Sequence, residues 1–301
     1  MKAAFFILPV VLLLSACDDQ PSSGQAENAI EVPPPVPDQS GIPGFTWQGK
    51  PIDPVCLNAG SNPDQGDEVD LATCTGSAGK DAWTQPQDGL ETFDDGAIGY
   101  TFKCEGGCMR APFVSYKNLG MAGGHHVIEV RESGGGTGVF SDVRLMDVRD
   151  GKLITVKVLG GGDRCNGGIA DAHVENGKVF FAQNLTPFDM IDISGSKAGF
   201  KAYDDIQACA ACCVAEANFE NDKMVSVTLT QDPKEIVSED LGPKDACFFG
   251  TYNETYFAGT ITLDDAALKV FGQKIDQRCG DLAGKELPPT VPSGAKPGDV
   301  D

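Results

Sequence analysis

Val174-Glu175-Asn176-Gly177-Lys178-Val179 places an Asn-Gly pair between two runs of strand-forming residues. Asn and Gly tolerate the positive φ angles of a two-residue type I′ turn, so the segment predicts a tight β-hairpin. Such a turn fixes the register. Val174 must face Val179, and Glu175 must face Lys178, with opposite charges across the last rung. The same arrangement stands upstream at Val148-Arg149-Asp150-Gly151-Lys152-Leu153. It returns less strictly at Phe219-Glu220-Asn221-Asp222-Lys223-Met224, where Phe219 should face Met224 and Glu220 should face Lys223. The flanking runs GVFSDVRLMDV, KLITVKVL, KVFFAQNL and KMVSVTLT are rich in β-branched and aromatic residues. The predicted fold class is therefore mainly β, with antiparallel hairpins forming a sandwich or a barrel and few short helices. The hairpins stand 26 and 45 residues apart, too uneven for a propeller. Further strands are predicted at residues 97–104, 126–131 and 256–263. Helical signals are confined to residues 204–213 and 264–274. The second of these is opened by two acids and closed by a lysine.

Outside this region the composition changes. Residues 18–44 are rich in Pro, Ser, Gly and acid, include Pro33-Pro34-Pro35, and read as a tether. Residues 284–301 share that character and are predicted to be a disordered tail. The folded region is then 45–283, within which 45–112 reads as a small subdomain with its own cysteines. At the N-terminus, Lys2 precedes an apolar run at residues 3–14 that is too short to span a bilayer, which takes about 20 residues. Leu14-Ser15-Ala16-Cys17 follows. Residues 1–17 resemble the signal peptide and lipobox of bacterial lipoproteins. The resemblance implies that residues 1–16 are removed, that Cys17 carries the lipid, and that residues 17–44 tether the folded part to a membrane. It places the protein in the bacterial cell envelope, facing the periplasm. Asp18 resembles the inner-membrane retention signal of enteric bacteria, and inner and outer membrane both stay open.

The formal charge of −21 excludes nucleic acid as a partner, because phosphate binding needs clustered Lys and Arg. Apart from the membrane reached through the lipid, the partner classes are a basic protein and a glycan or small ligand. Eleven cysteines are present. With Cys17 used for lipid, Cys56, Cys74, Cys104, Cys108, Cys165, Cys209, Cys212, Cys213, Cys247 and Cys279 make an even set. An oxidising compartment predicts disulfides among them, at most five. Cys56 with Cys74 and Cys104 with Cys108 are neighbours in sequence; the remaining pairing stays open.

The histidines are His125, His126 and His173. Two of them with an acid would suit a divalent metal such as zinc or copper. No close-spaced motif such as H-E-x-x-H accompanies them, and no cofactor is predicted. Asp171 and His173 are two apart on a predicted strand and so share a face. They are the candidate catalytic pair of a hydrolase, with or without a metal. Cys209, Cys212 and Cys213 contain a C-x-x-C, which reads either as structural disulfides or as a redox or metal-handling site. In residues 160–168 (GGGDRCNGG), Gly161, Gly162 and Asn166 could bring backbone amides to a ligand, and Arg164 could pair with its carboxylate. A tight, disulfide-pinned connection needs the same glycines. Asp64, Asp67, Glu68 and Asp70 form an acidic run whose spacing departs from a calcium-binding EF-hand and reads as a solvated loop. No nucleophile elbow or dinucleotide fingerprint is present. The leading expectation is a lipid-anchored binding or envelope-maintenance protein without catalysis, with the hydrolase and redox readings as alternatives.

Overall fold

A computed structural model describes residues 44–59, 68–74, 89–104, 106–236 and 241–282. The signal-like segment, Cys17, the tether up to residue 43, Asp64, Asp67 and the tail at 284–301 lie outside the described residues. A ribbon of β1 (Thr46–Trp47) and β2 (Lys50–Pro51) leads into α1 (Pro54–Ala59). Then come β3 (Glu68–Asp70), α2 (Leu71–Cys74), β4 (Glu91–Thr92) and β5 (Ile98–Thr101). The long strands β6 (Phe113–Ala122), β7 (His125–Ser133), β8 (Phe140–Arg149) and β9 (Lys152–Asp163) complete a seven-stranded antiparallel sheet of order β3-β9-β8-β7-β6-β5-β4. A five-stranded antiparallel sheet runs in order β10-β11-β12-β13-β14. Its strands are β10 (Ile169–Glu175), β11 (Lys178–Leu185), β12 (Ala215–Glu220), β13 (Lys223–Leu229) and β14 (Thr262–Leu263). The remaining helices are α3 (Pro187–Ile193), α4 (Pro243–Phe257) and α5 (Asp265–Cys279).

The three hairpins form in the predicted register. Val148 faces Leu153, Val174 faces Val179 and Phe219 faces Met224. The turn residues take the positive φ that selects their types: 52° at Asn176 and 72° at Gly177, 51° at Asp150 and 75° at Gly151. The charges pair differently from expectation. Lys178 binds Glu220 on β12 at 2.7 Å, although Glu175 is its register partner. β11 lies between β10 and β12, so a lysine at its end reaches a diagonal neighbour on either side. Gly177→Val should cost about 1–2 kcal/mol, because a side chain in the left-handed region crowds the following carbonyl. A urea midpoint unchanged by this substitution would contradict the hairpin.

Register shifts at Asn118/Gly120, Val143/Arg144 and Leu145/Met146 mark bulges, which add twist and curl the larger sheet. Both of its faces are covered. On one, Phe45, Ile52, Leu57, Leu71 and the Cys56–Cys74 disulfide pack on Tyr116, Ile128, Val130, Met146 and Leu153. Buried Arg144 donates from Nη1 to the Leu57 carbonyl at 2.9 Å, tying α1 to the sheet. Residues 45–112 thus lend strands and core to the same sheet as 113–163. On the other face, Val127 and Val143 meet Ile169, Val179 and Phe181 of the smaller sheet. The third cluster lies where α3, α4 and α5 cover β12 and β13, with Phe248, Tyr252, Phe271 and Ile275 at its centre.

Two predicted elements change identity. Residues 256–263 were expected as a strand, but α4 runs to Phe257 and only Thr262–Leu263 is extended. Residues 204–213 were expected as a helix and form turns instead. Their backbone groups bond outward: the Gln207 N–H donates to Asp245 at 3.1 Å, and the Gln207 carbonyl accepts the Phe188 N–H at 3.0 Å. The predicted helix at 264–274 forms and continues to Cys279, with Asp264 as its N-cap accepting the Ala267 N–H at 2.8 Å.

Candidate functional site

Several loops meet at the end of the molecule where β7 runs into β8 and β9 into β10. The Gly135 carbonyl accepts the Met109 N–H at 2.8 Å. The Val139 N–H donates to Asp163 Oδ1 at 2.9 Å, and the Arg164 N–H donates back to the Val139 carbonyl at 3.1 Å. The Cys165 N–H donates to the Ala210 carbonyl at 3.3 Å, which brings in residues 209–213. Three disulfides fix this cluster: Cys104–Cys108, Cys165–Cys213 and Cys209–Cys212. Met109 and Phe140 stand at its surface, 75% and 49% exposed. A backbone fixed in this way loses little conformational freedom on binding, which favours affinity for a partner.

The glycine-rich connection sits in this cluster. A Cβ on Gly161 would lie 2.4 Å from the Asp142 Cβ, and one on Gly162 only 2.1 Å from the Asn166 carbonyl oxygen. The glycines therefore let β9 pass against β8 and against its own turn. The Asn166 N–H donates to the Asp163 carbonyl at 2.9 Å and closes that turn. Arg164 donates from Nε and Nη2 to the two carboxylate oxygens of Asp163, at 3.0 and 3.3 Å. This contact, more than the Val139 N–H, holds the Asp163 carboxyl below the usual carboxylate range. The carboxylate expected from a ligand is supplied by the neighbouring residue, and the geometry is that of the tight-turn alternative.

The histidines do not share this end. His125 begins β7 and Ser133 ends it, about 26 Å away at roughly 3.3 Å per residue. His125 Nδ1 lies 3.0 Å from Asp147 Oδ2, and Arg149 bonds the same carboxylate. His126 points to the opposite face, where its ring lies 5.1 Å from Phe45. Its Nδ1 is buried without a hydrogen-bond partner in the protein, and burial pushes its pKa down against the pull of Asp147. His173 lies in the smaller sheet, stacked on Phe180, with Nδ1 3.4 Å from Asp171 Oδ2. That pair does share a face, but both side chains are open to solvent. Among the described residues no three His, Cys, Asp or Glu side chains gather as a metal-holding group. Glu68 is paired with Lys152, and Asp70 accepts the Ala72 N–H at 2.8 Å.

His126→Phe is expected to stabilise the fold by about 1 kcal/mol at pH 7, because it removes a buried, unpaired nitrogen. The lowered folded-state pKa adds a pH signature. The histidine's contribution is complete above the unfolded value of about 6.5 and is lost as pH falls toward the lower folded value. Urea midpoints measured between pH 7 and pH 5 should fall less steeply for the variant. Parallel curves would show that this histidine is not the titrating group.

A concavity lies between the end of α4, β14 and one face of α5. It is a groove of about 280 Å³ lined by Thr255, Ala258, Leu263, Ala267, Val270 and Phe271, with Thr260 and Lys274 at its edges. Lys274 and Arg278 both pair with Glu254. No family model, curated protein or solved structure matches the chain. The geometry alone therefore carries the functional reading.

All ten described cysteines are cross-linked, and Cys209, Cys212 and Cys213 are each held in a disulfide. Sequence reasoning missed the groove because α4 was not recognised. It also missed Met109 and Phe140. The available signal was their position just after glycine-rich stretches, Gly106-Gly107 for Met109 and Gly134-Gly135-Gly136-Thr137-Gly138 for Phe140.

Proposed function

We propose that this chain is a lipid-anchored protein of the bacterial envelope that binds a protein partner through the disulfide-fixed loop end and catalyses no reaction on it. The observation that carries the reading is the exposure of Met109 on its loop and of Phe140 at the start of β8, beside loops whose backbone three disulfides hold in place. Fixed apolar side chains of this kind are the usual anchors of an interface. The lipobox-like Leu14-Ser15-Ala16-Cys17 supports the anchor, and five closed disulfides suit an oxidising compartment. The charge of −21 favours a basic partner, whose approach it would accelerate at low salt.

The anchor and the binding face are tested separately. Cys17→Ser should abolish incorporation of labelled palmitate and release the protein from membranes; label retained by the variant would overturn the anchor. For the binding face, cross-linking in intact envelopes should yield a defined adduct that is lost in the Met109→Asp/Phe140→Asp double variant and weakened by salt. An adduct indifferent to both substitutions would remove the loop end as the binding face.

A further inference from the structure

We propose that the groove between α4, β14 and α5 is occupied by a segment of this same chain, Leu287-Pro288-Pro289-Thr290-Val291-Pro292. The proposal stands apart from the loop-end reading. It starts from the shape of the groove. Its α5 wall is the stripe Ala267, Val270, Phe271 and Lys274, spaced i, i+3, i+4, i+7 on one face of the helix. That stripe is about 10 Å long at 1.5 Å per residue. Val270 on its rim is exposed, as are Phe257 at the end of α4 and Ile261 ahead of β14. Apolar side chains around a groove call for a cover.

The chain itself arrives beside it. α5 ends at Cys279, a single 3₁₀ turn spans Gly280–Leu282, and the next residues are Ala283-Gly284-Lys285-Glu286. Lys274 lies back along α5 by about 13 Å from Leu282, counting helical and 3₁₀ rises. Five extended residues reach about 16 Å, so Leu287 comes level with Lys274 after a reversal that Gly284 permits. In polyproline geometry Leu287 and Val291 are about 12 Å apart, close to the length of the apolar stripe. Leu287 then sits beside Phe271 and Lys274, and Val291 beside Ala267 and Val270. Three prolines in this segment hold the extended form in advance, which lowers the entropy lost on docking. The charges agree. Lys274 and Arg278 share the single carboxylate of Glu254, so a basic pair stands at the end of the groove where Glu286 arrives.

The test uses the full chain with a benzophenone amino acid in place of Val291. Irradiation and peptide mapping should find an adduct within the same molecule on residues 255–274, abolished by Val270→Glu. Val270 is half-exposed, so this substitution leaves the core intact. Adducts elsewhere, adducts joining two copies, or none at all would overturn the proposal. A labelled peptide of residues 283–295 supplies an independent measurement. It should bind the Leu287→Asp/Val291→Asp full chain at least tenfold more tightly than the unsubstituted chain, whose own segment competes. Equal affinity for the two, or affinity for neither, would also overturn it.

Discussion

Replacing Cys165 and Cys213 together by alanine is expected to lower stability by about 4 kcal/mol, the loop-closure entropy released when a cross-link spanning 48 residues is lost. The bond joins the β9–β10 turn to the segment ahead of β12, two places distant in sequence that also meet through the Cys165 N–H to the Ala210 carbonyl. The same account assigns about 2 kcal/mol to Cys209–Cys212, whose loop is far shorter. Urea unfolding of the two alanine pairs therefore tests the mechanism as well as the size. Equal losses would show that native-state packing around the sulfurs, rather than unfolded-chain entropy, sets the stability. A loss under 1 kcal/mol at Cys165–Cys213 would remove this bond from the forces that hold the loop end.

Phe248→Ala should cost about 3–5 kcal/mol, the range for emptying a large aromatic site in a well-packed core. Phe248 is fully buried, with ring centroids of Phe249, Tyr252 and Phe271 at 5.2, 6.1 and 6.0 Å. It stands where α4 meets α5, and the Cys247–Cys279 disulfide keeps the two helices together beside it. The chain should remain folded around the larger sheet, whose two clusters do not include Phe248. A hydrogen-exchange comparison should therefore show loss of protection in α4, α5 and β12–β13 first. Uniform loss across both sheets would instead mean that the fold unfolds as one unit.

Much of the β architecture was legible because its signals are local. An Asn-Gly or Asp-Gly pair between β-branched runs fixes turn, register and face together, and no distant residue is needed to decide them. The capped helix after Asp264 was legible for the same reason. α4 was not. Its sequence, Pro243–Phe257, holds Phe, Tyr and Thr at most of its buried positions and a glycine at 250, all of which favour strand or break a helix. Burial of Phe248, Thr251, Tyr252 and Thr255 along one face overrides those preferences. The Tyr252 hydroxyl, which accepts the Gln231 N–H at 3.0 Å and lies 2.8 Å from the Val214 carbonyl, ties that face to the sheet beneath it. The neighbouring residues 204–213 failed in the opposite sense, because Gln207 finds its backbone partners on α3 and α4 and Ala210 finds one at Cys165, none of which can be seen from the segment itself.

The candidate sites divide in the same way. Residue types marked His125, His173, Arg164 and the glycine run as worth weighing, but distance and partners were invisible. Only the folded chain shows Asp163 closing on Arg164 and Asp147 on His125, and puts His173 in a different sheet from the other two histidines. The sequence by itself determined the mainly β class and the hairpin registers, because each depends on residues within a few positions of one another; of the disulfides it marked Cys56 with Cys74 and Cys104 with Cys108 as neighbours and left the pairing open. The tertiary structure decided the curl of the larger sheet, the long-range cystine pairs, the helical identity of α4 and the groove beside it. Those features rest on contacts between residues tens of positions apart, and no local pattern encodes the free energy of such contacts.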